Sequence, residues 1–132
     1  MLRAYSKNIE VTANSPIPFN VDKFDVGNNL GHSAGSSSII VRAPGFYEVN
    51  LDISFTTAEA PTEQPVSIQL FANGVAIPDA IISTNVTATE VVNASFNTII
   101  RAIPGVPFSN VTLTVIPTND ITINSVAIGI DQ

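Results

Sequence analysis

The chain of 132 residues has no cysteine and no tryptophan. Without cysteine there is no disulfide framework and no thiolate metal site, so the fold must rest on its apolar core. Charge is scarce too. Asp, Glu, Lys and Arg make up 12% of the chain, about half the ~25% of an ordinary soluble domain. Five basic residues (Arg3, Lys7, Lys23, Arg42 and Arg101) stand against eleven acidic ones, for a net charge of −6. They are scattered along the sequence. Phosphate recognition needs concentrated Lys and Arg, so the composition excludes a nucleic-acid partner. It argues against an anionic membrane surface on the same ground. No apolar run approaches the ~20 residues that cross a bilayer. The opening MLRAYSKNIEV lacks the apolar stretch of a secretory leader, and the expectation is synthesis in the cytosol without a signal peptide.

The hydrophobic share is 45%, and the polar remainder is Asn, Ser and Thr rather than Lys and Glu. The length fits one domain over residues 1–132, burying about two thirds of its extended surface. A Ser/Thr/Asn-coated β domain would explain the low charge. So would a homo-oligomer that hides part of its surface, because interface cores are depleted in charge.

The clearest local signal is Ala43-Pro-Gly-Phe-Tyr-Glu-Val-Asn-Leu-Asp-Ile-Ser-Phe55. Tyr47, Val49, Leu51, Ile53 and Phe55 point to one face; Glu48, Asn50, Asp52 and Ser54 point to the other. Glu90 to Ile103 repeats the pattern, with Val92, Ala94, Phe96, Thr98, Ile100 and Ala102 opposite Asn93, Ser95, Asn97, Ile99 and Arg101. Val66, Ile68 and Leu70 alternate up to Asn73-Gly74, a dipeptide that predicts a two-residue type I′ hairpin turn. Residues 1–12, Ile39–Val41, Val111–Val115 and Ile121–Ile130 also read as strands. Ser15-Pro-Ile-Pro-Phe19 lacks two ladder donors and suits an edge or a crossover. Val21–Ser38 and Thr56–Pro65 read as loop-like, residues 79–89 carry Ile81-Ile82 and a Thr/Asn-rich segment, and Pro104-Gly-Val-Pro107 reads as a closing turn. About eight strands and no capped helical period predict an antiparallel β-sandwich or jelly roll.

Chemical candidates are few. His32 is the one histidine, and a Ser-His-Asp site would have to pair it with Ser33 or Ser36. No Gly-x-Ser-x-Gly supports that, and a solvent-exposed loop histidine is the expectation. Asp22, Asp25, Asn28 and Asn29 are metal candidates, because calcium takes clustered oxygen ligands from loops. Their spacing does not match an EF-hand, and a solvated turn is the default. The expectation is no catalytic residue, no cofactor and no enzyme.

In the order of its features the chain resembles the tumour-necrosis-factor and complement-globular-head superfamily, in the form of small phage and prophage virion proteins. The residues that carry this are Ile17-Pro-Phe19, a Gly/Ser loop, Ile39-Ile-Val41, Pro44-Gly-Phe-Tyr-Glu-Val49, Val66-Ser-Ile-Gln-Leu70 before Asn73-Gly74, and Ser125-Val-Ala-Ile-Gly-Ile130. The resemblance implies a ten-strand jelly roll packed as a homotrimer, with one sheet's long strands around a threefold axis. Phe46, Phe96, Ile99, Val126, Ile128 and Ile130 are then the trimer-interface candidates; the competing reading is that they fill the sandwich interior. No stalk accompanies the head. Residues 1–15 are expected to form an anchoring arm or edge strand. The expected role is a trimeric capsid-decoration protein on the virion surface, made in the host cytoplasm, whose partners are itself and a major capsid protein or other virion protein. The alternative is a receptor- or glycan-binding head of a phage fibre or bacterial surface appendage.

Overall fold

Alternation of apolar and polar residues organises the fold into two sheets. The structure, a computed structural model, describes residues 1–57, 64–87, 90–103 and 111–132. In chain order the strands are β1 (Leu2–Val11), β2 (Val21–Asp25), β3 (Leu30–Gly31), β4 (Ile39–Val41), β5 (Gly45–Thr56), β6 (Gln64–Ala72), β7 (Val75–Val86), β8 (Val92–Ala102), β9 (Val111–Pro117) and β10 (Ile121–Asp131). The first sheet runs β2-β1-β10-β5-β8 and the second β3-β4-β9-β6-β7. Every pairing is antiparallel. Tyr47, Val49, Leu51, Ile53 and Phe55 of β5 all point inward and are buried, as their alternation predicts. They meet Val66, Ile68 and Leu70 of β6 and Leu113 and Val115 of β9 in one continuous apolar core.

Two readings change. Residues 1–15 are neither an anchoring arm nor an edge strand. β1 lies between β2 and β10, and Leu2 to Tyr5 are paired on both sides. Leu2 and Ala4 are core residues, so this segment is bound by burial as well as by its ladder. Residues 79–86 form the second half of β7. Ala80, Ile82 and Val86 supply the buried face of this edge strand. An edge position tolerates Pro78, which has no ladder donor to offer. The Val21–Ser38 region contains β2 and β3. The Pro104–Pro107 turn and the centre of the Thr56–Pro65 loop lie outside the described residues.

Ser15–Phe19 is a crossover. The Asn14 N–H donates to the Pro117 carbonyl at 2.8 Å and the Ile17 N–H to the Val115 carbonyl at 2.8 Å, which ties the chain leaving β1 to β9 of the opposite sheet. Ile17 and Phe19 are fully buried. Ser6, polar and buried, is satisfied by this crossover: its hydroxyl donates to the Pro18 carbonyl at 2.7 Å and accepts from the Asn20 N–H at 2.8 Å. The Asn73-Gly74 turn has φ of 50° and 79°, both positive as a type I′ turn requires.

Asn8 has φ 54° in the middle of β1. Inward positions before it are Leu2, Ala4 and Ser6; after it they are Ile9 and Val11. Asn124 of β10 marks the same change of phase, between Ile123 and Val126. The β1–β10 register stays constant across both, from Leu2↔Ile130 to Val11↔Ile121. Against β5 the register shifts between Ile123 and Ser125, a bulge. Asn tolerates the left-handed region better than β-branched residues do. Asn8→Val is therefore expected to destabilise the protein by about 1–2 kcal/mol, and Asn8→Gly to leave it near neutral, in urea unfolding.

Candidate functional site

The outward face of the first sheet holds the features that the core does not explain. Its side chains stand in rows across the strands. Lys7, Ser125, Ser54 and Asn93 form one row; Tyr5, Ala127, Asp52 and Ser95 the next; Arg3, Gly129, Asn50 and Asn97 the third. Asp131, Glu48 and Ile99 follow, and Phe46 stands opposite Arg101 at the end.

The rows have three zones. At the end where β5 begins, Phe46 is 64% exposed, Ile99 66% and Ile103 63%. The Arg101 guanidinium lies over the Phe46 ring at 5.9 Å. In the middle, Asn97 and Asn50 both donate to Glu48 Oε1 at 3.2 Å, and the two amides also bond each other. Those donations, first from Asn50 and then from Asn97, hold the Glu48 carboxyl below its ordinary value of 4.5. A lowered folded pKa means that the contribution to stability is present above the ordinary value and is lost as pH falls through the folded one. The Asn50 and Asn97 side-chain amide NMR signals are accordingly expected to stay fixed through neutral pH and to move only in acid, below that value.

The third zone is an open depression of about 810 Å³ over β1, β10, β5 and β8. Its floor is the short side chains Ser125 and Ala127, and its lining includes Arg3, Tyr5, Lys7 and Lys23 on one side and Asp52, Ser54, Asn93 and Ser95 on the other. Arg3 crosses over Gly129, where an added Cβ would lie 1.7 Å from its Nη1. It ends on Asp131, with Nη2 to Oδ2 at 3.2 Å.

Of the interface candidates, Phe46 and Ile99 are surface residues. Phe96, Val126, Ile128 and Ile130 are not: each is buried within the single chain. Phase explains this, since Phe96 pairs with inward Leu51 and Val126 with inward Ile53. These four fill the sandwich, which corrects their assignment to an interface. Ile103 and the basic wall went unread. Ile103 continues the outward alternation Ile99, Arg101, Ile103. The wall has no local signal, because β2 meets β1, and β1 meets β10, only through long-range pairing.

The metal candidates are not brought together. Asp22 turns inward to His32 Nδ1, the Asn29 amide donates to Gln132 Oε1 at 2.6 Å, and Asp25 and Asn28 are exposed. Among the described residues no group of three His, Asp or Glu is placed to hold an ion. His32 is not an exposed loop histidine, for its side chain is wholly buried. Its Nε2 meets the Ser36 carbonyl at 2.7 Å, and its ring packs edge-on to Phe19 at 6.2 Å. With both nitrogens engaged by Asp22 and a main-chain carbonyl, the ring is aimed at neither the Ser33 nor the Ser36 hydroxyl. It is a structural post for the loop.

The arrangement of two five-stranded antiparallel sheets is that of the TNF-like jelly roll. Solved structures show the same fold over nearly the whole chain. Murine APRIL aligns with a TM-score of 0.69 at 7% identity, over 99% of this chain and 98% of its own. Eiger TNF from S. frugiperda aligns with a TM-score of 0.61 at 11% identity, over 96% and 90%. PRD1 vertex protein P5 aligns with a TM-score of 0.56 at 12% identity, over 96% and 93%. No family model and no curated protein sequence matches the chain.

Proposed function

We propose that this chain is a non-enzymatic structural protein of a phage virion, a homotrimeric module that decorates the capsid surface. The observation that carries this is the outward face of the first sheet. It sets large apolar residues (Phe46, Ile99 and Ile103) at one end of a face whose other rows mix Asn, Ser and Ala with acidic and basic side chains. Five strands about 4.8 Å apart and about ten residues long offer an area of about 800 Å², which is one partner's share of a standard interface. The resemblance to small virion proteins and the fold shared with a vertex protein support the virion setting. A trimer suits threefold positions on an icosahedral shell, where three linked contacts to a major capsid protein would act together.

Sedimentation is expected to give three times the 13.9 kDa chain mass. Phe46→Lys combined with Ile99→Lys is expected to return it to a single chain that stays folded, since both side chains are exposed. Mixing the protein with undecorated capsids and finding no particle association would overturn decoration.

A receptor- or glycan-binding head is the second reading. What favours it is the depression itself, where Tyr5 faces Asp52, Asn93 and Ser95 across the floor of β10. Saturable hits on a glycan array by the wild-type protein would promote it over decoration.

A further inference from the structure

The basic residues are scattered in sequence but not in space. Arg3, Lys7 and Lys23, three of the chain's five cations, line the same depression. Outside the depression the chain carries two cations against ten acidic side chains, so almost any other approach between copies meets like charge. Arg3 is engaged by Asp131. Among the described residues Lys7 and Lys23 make no ion pair. Across the short floor of β10 the same face turns acidic: Glu48 and Asp52 project from β5, both exposed. One face therefore has a positive margin on β1 and β2 and a negative strip on β5, about two strand spacings from β1.

We infer that the occupant of the depression is a second copy of this chain, with Lys7 and Lys23 of one copy set against Glu48 and Asp52 of the next. In the proposed trimer such a contact is heterologous, the margin of one copy meeting the strip of the next, and the threefold rotation closes it into a ring. The occupant must be acidic and must reach over a floor of small side chains. A copy of the chain meets the first condition with its net charge of −6, and its β5 strip lies on the face that the proposed trimer covers. The inference rests on the trimeric reading and adds its direction: basic margin to acidic strip, with the Phe46–Ile99 end closing the apolar part of the same contact. It also assigns a role to Lys23, which projects from an edge strand and takes no part in the core.

The test is charge exchange read by sedimentation. Lys7→Glu with Lys23→Glu is expected to weaken trimer association at least tenfold, as is Glu48→Lys with Asp52→Lys in a separate variant. All four changes in one chain are expected to restore the trimer, because the reversed margin then meets the reversed strip. Milder variants, Lys7→Gln and Asp52→Asn, should each show a smaller loss of the same kind and guard against misfolding of the reversed chains. Raising the salt from 0.15 M to 1 M, where screening shortens from about 8 Å to about 3 Å, should weaken the wild-type trimer and narrow the gap between it and the one-sided variants. If the one-sided variants stay as trimeric as the wild type, or the four-fold exchange fails to restore association, this pairing is wrong and the trimer stands on other contacts. A wild-type mass of one chain would overturn both the pairing and the trimer.

Discussion

Phe55→Ala is expected to cost about 3–5 kcal/mol, the range for truncating a fully buried phenylalanine. Phe55 is completely buried on β5, between Ile123 of β10 and Val92 of β8. A domain of this size is stable by only about 5–15 kcal/mol, so the variant would lose a large share of its margin. Its melting temperature should fall by roughly 10–20 °C. The matched control is Phe46→Ala on the same strand. Nine positions separate the two phenylalanines, an odd number, so they face opposite ways. Phe46→Ala should leave the unfolding free energy of the separated chain within about 0.5 kcal/mol, the usual range for surface positions. It should weaken self-association instead. Chemical unfolding of both variants below the concentration of assembly checks the pair. Equal losses would mean that the faces of β5 are misassigned.

Asp22→Ala is the second large effect, expected at roughly 1–3 kcal/mol. The His32 side chain has no exposure to solvent. Its Nε2 faces a carbonyl, which can only accept, so that nitrogen donates; its Nδ1 faces the Asp22 carboxylate. Removing the carboxylate leaves a buried ring nitrogen beside Phe19 without its protein partner. His32→Leu in the Asp22→Ala background removes the stranded group and should recover part of the loss, because burying an unpaired polar atom costs more than deleting both partners. Asp25→Ala, three positions away and exposed, should stay within about 0.5 kcal/mol. Hydrogen exchange in residues 29–38 should report the same order, fastest in Asp22→Ala.

The sandwich was legible wherever a strand is buried on one face along its whole length. β5 and β8 could be read residue by residue, and the Asn73-Gly74 turn follows from the φ values that only such a dipeptide adopts cheaply. Legibility ended where pairing partners are distant. Phe96 and the apolar positions of β10 looked available for an interface because alternation shows two faces without saying which one is covered. His32 looked like a loop residue because its burial depends on β2 and the crossover folding over it. The basic margin could not be read from spacing at all. Lys7 and Lys23 are sixteen positions apart, and only the return of β2 alongside β1 brings them to one depression.

Asn8 and Asn124 carry a consequence for how the chain can change length. Each strand has one additional residue at the same level, which is why the β1–β10 ladder never slips. Deleting Asn8 alone would leave Ile9 and Val11 alternating in phase with Ser6 but one residue out of register with β10, and deleting Asn124 alone would put Ile121 and Ile123 out of register with β1. Removing both together keeps these two strands in step and straightens β10 against β5. The two positions should therefore tolerate loss or gain only as a pair, so that a one-residue deletion in the first strand is rescued by its counterpart more than a hundred residues later.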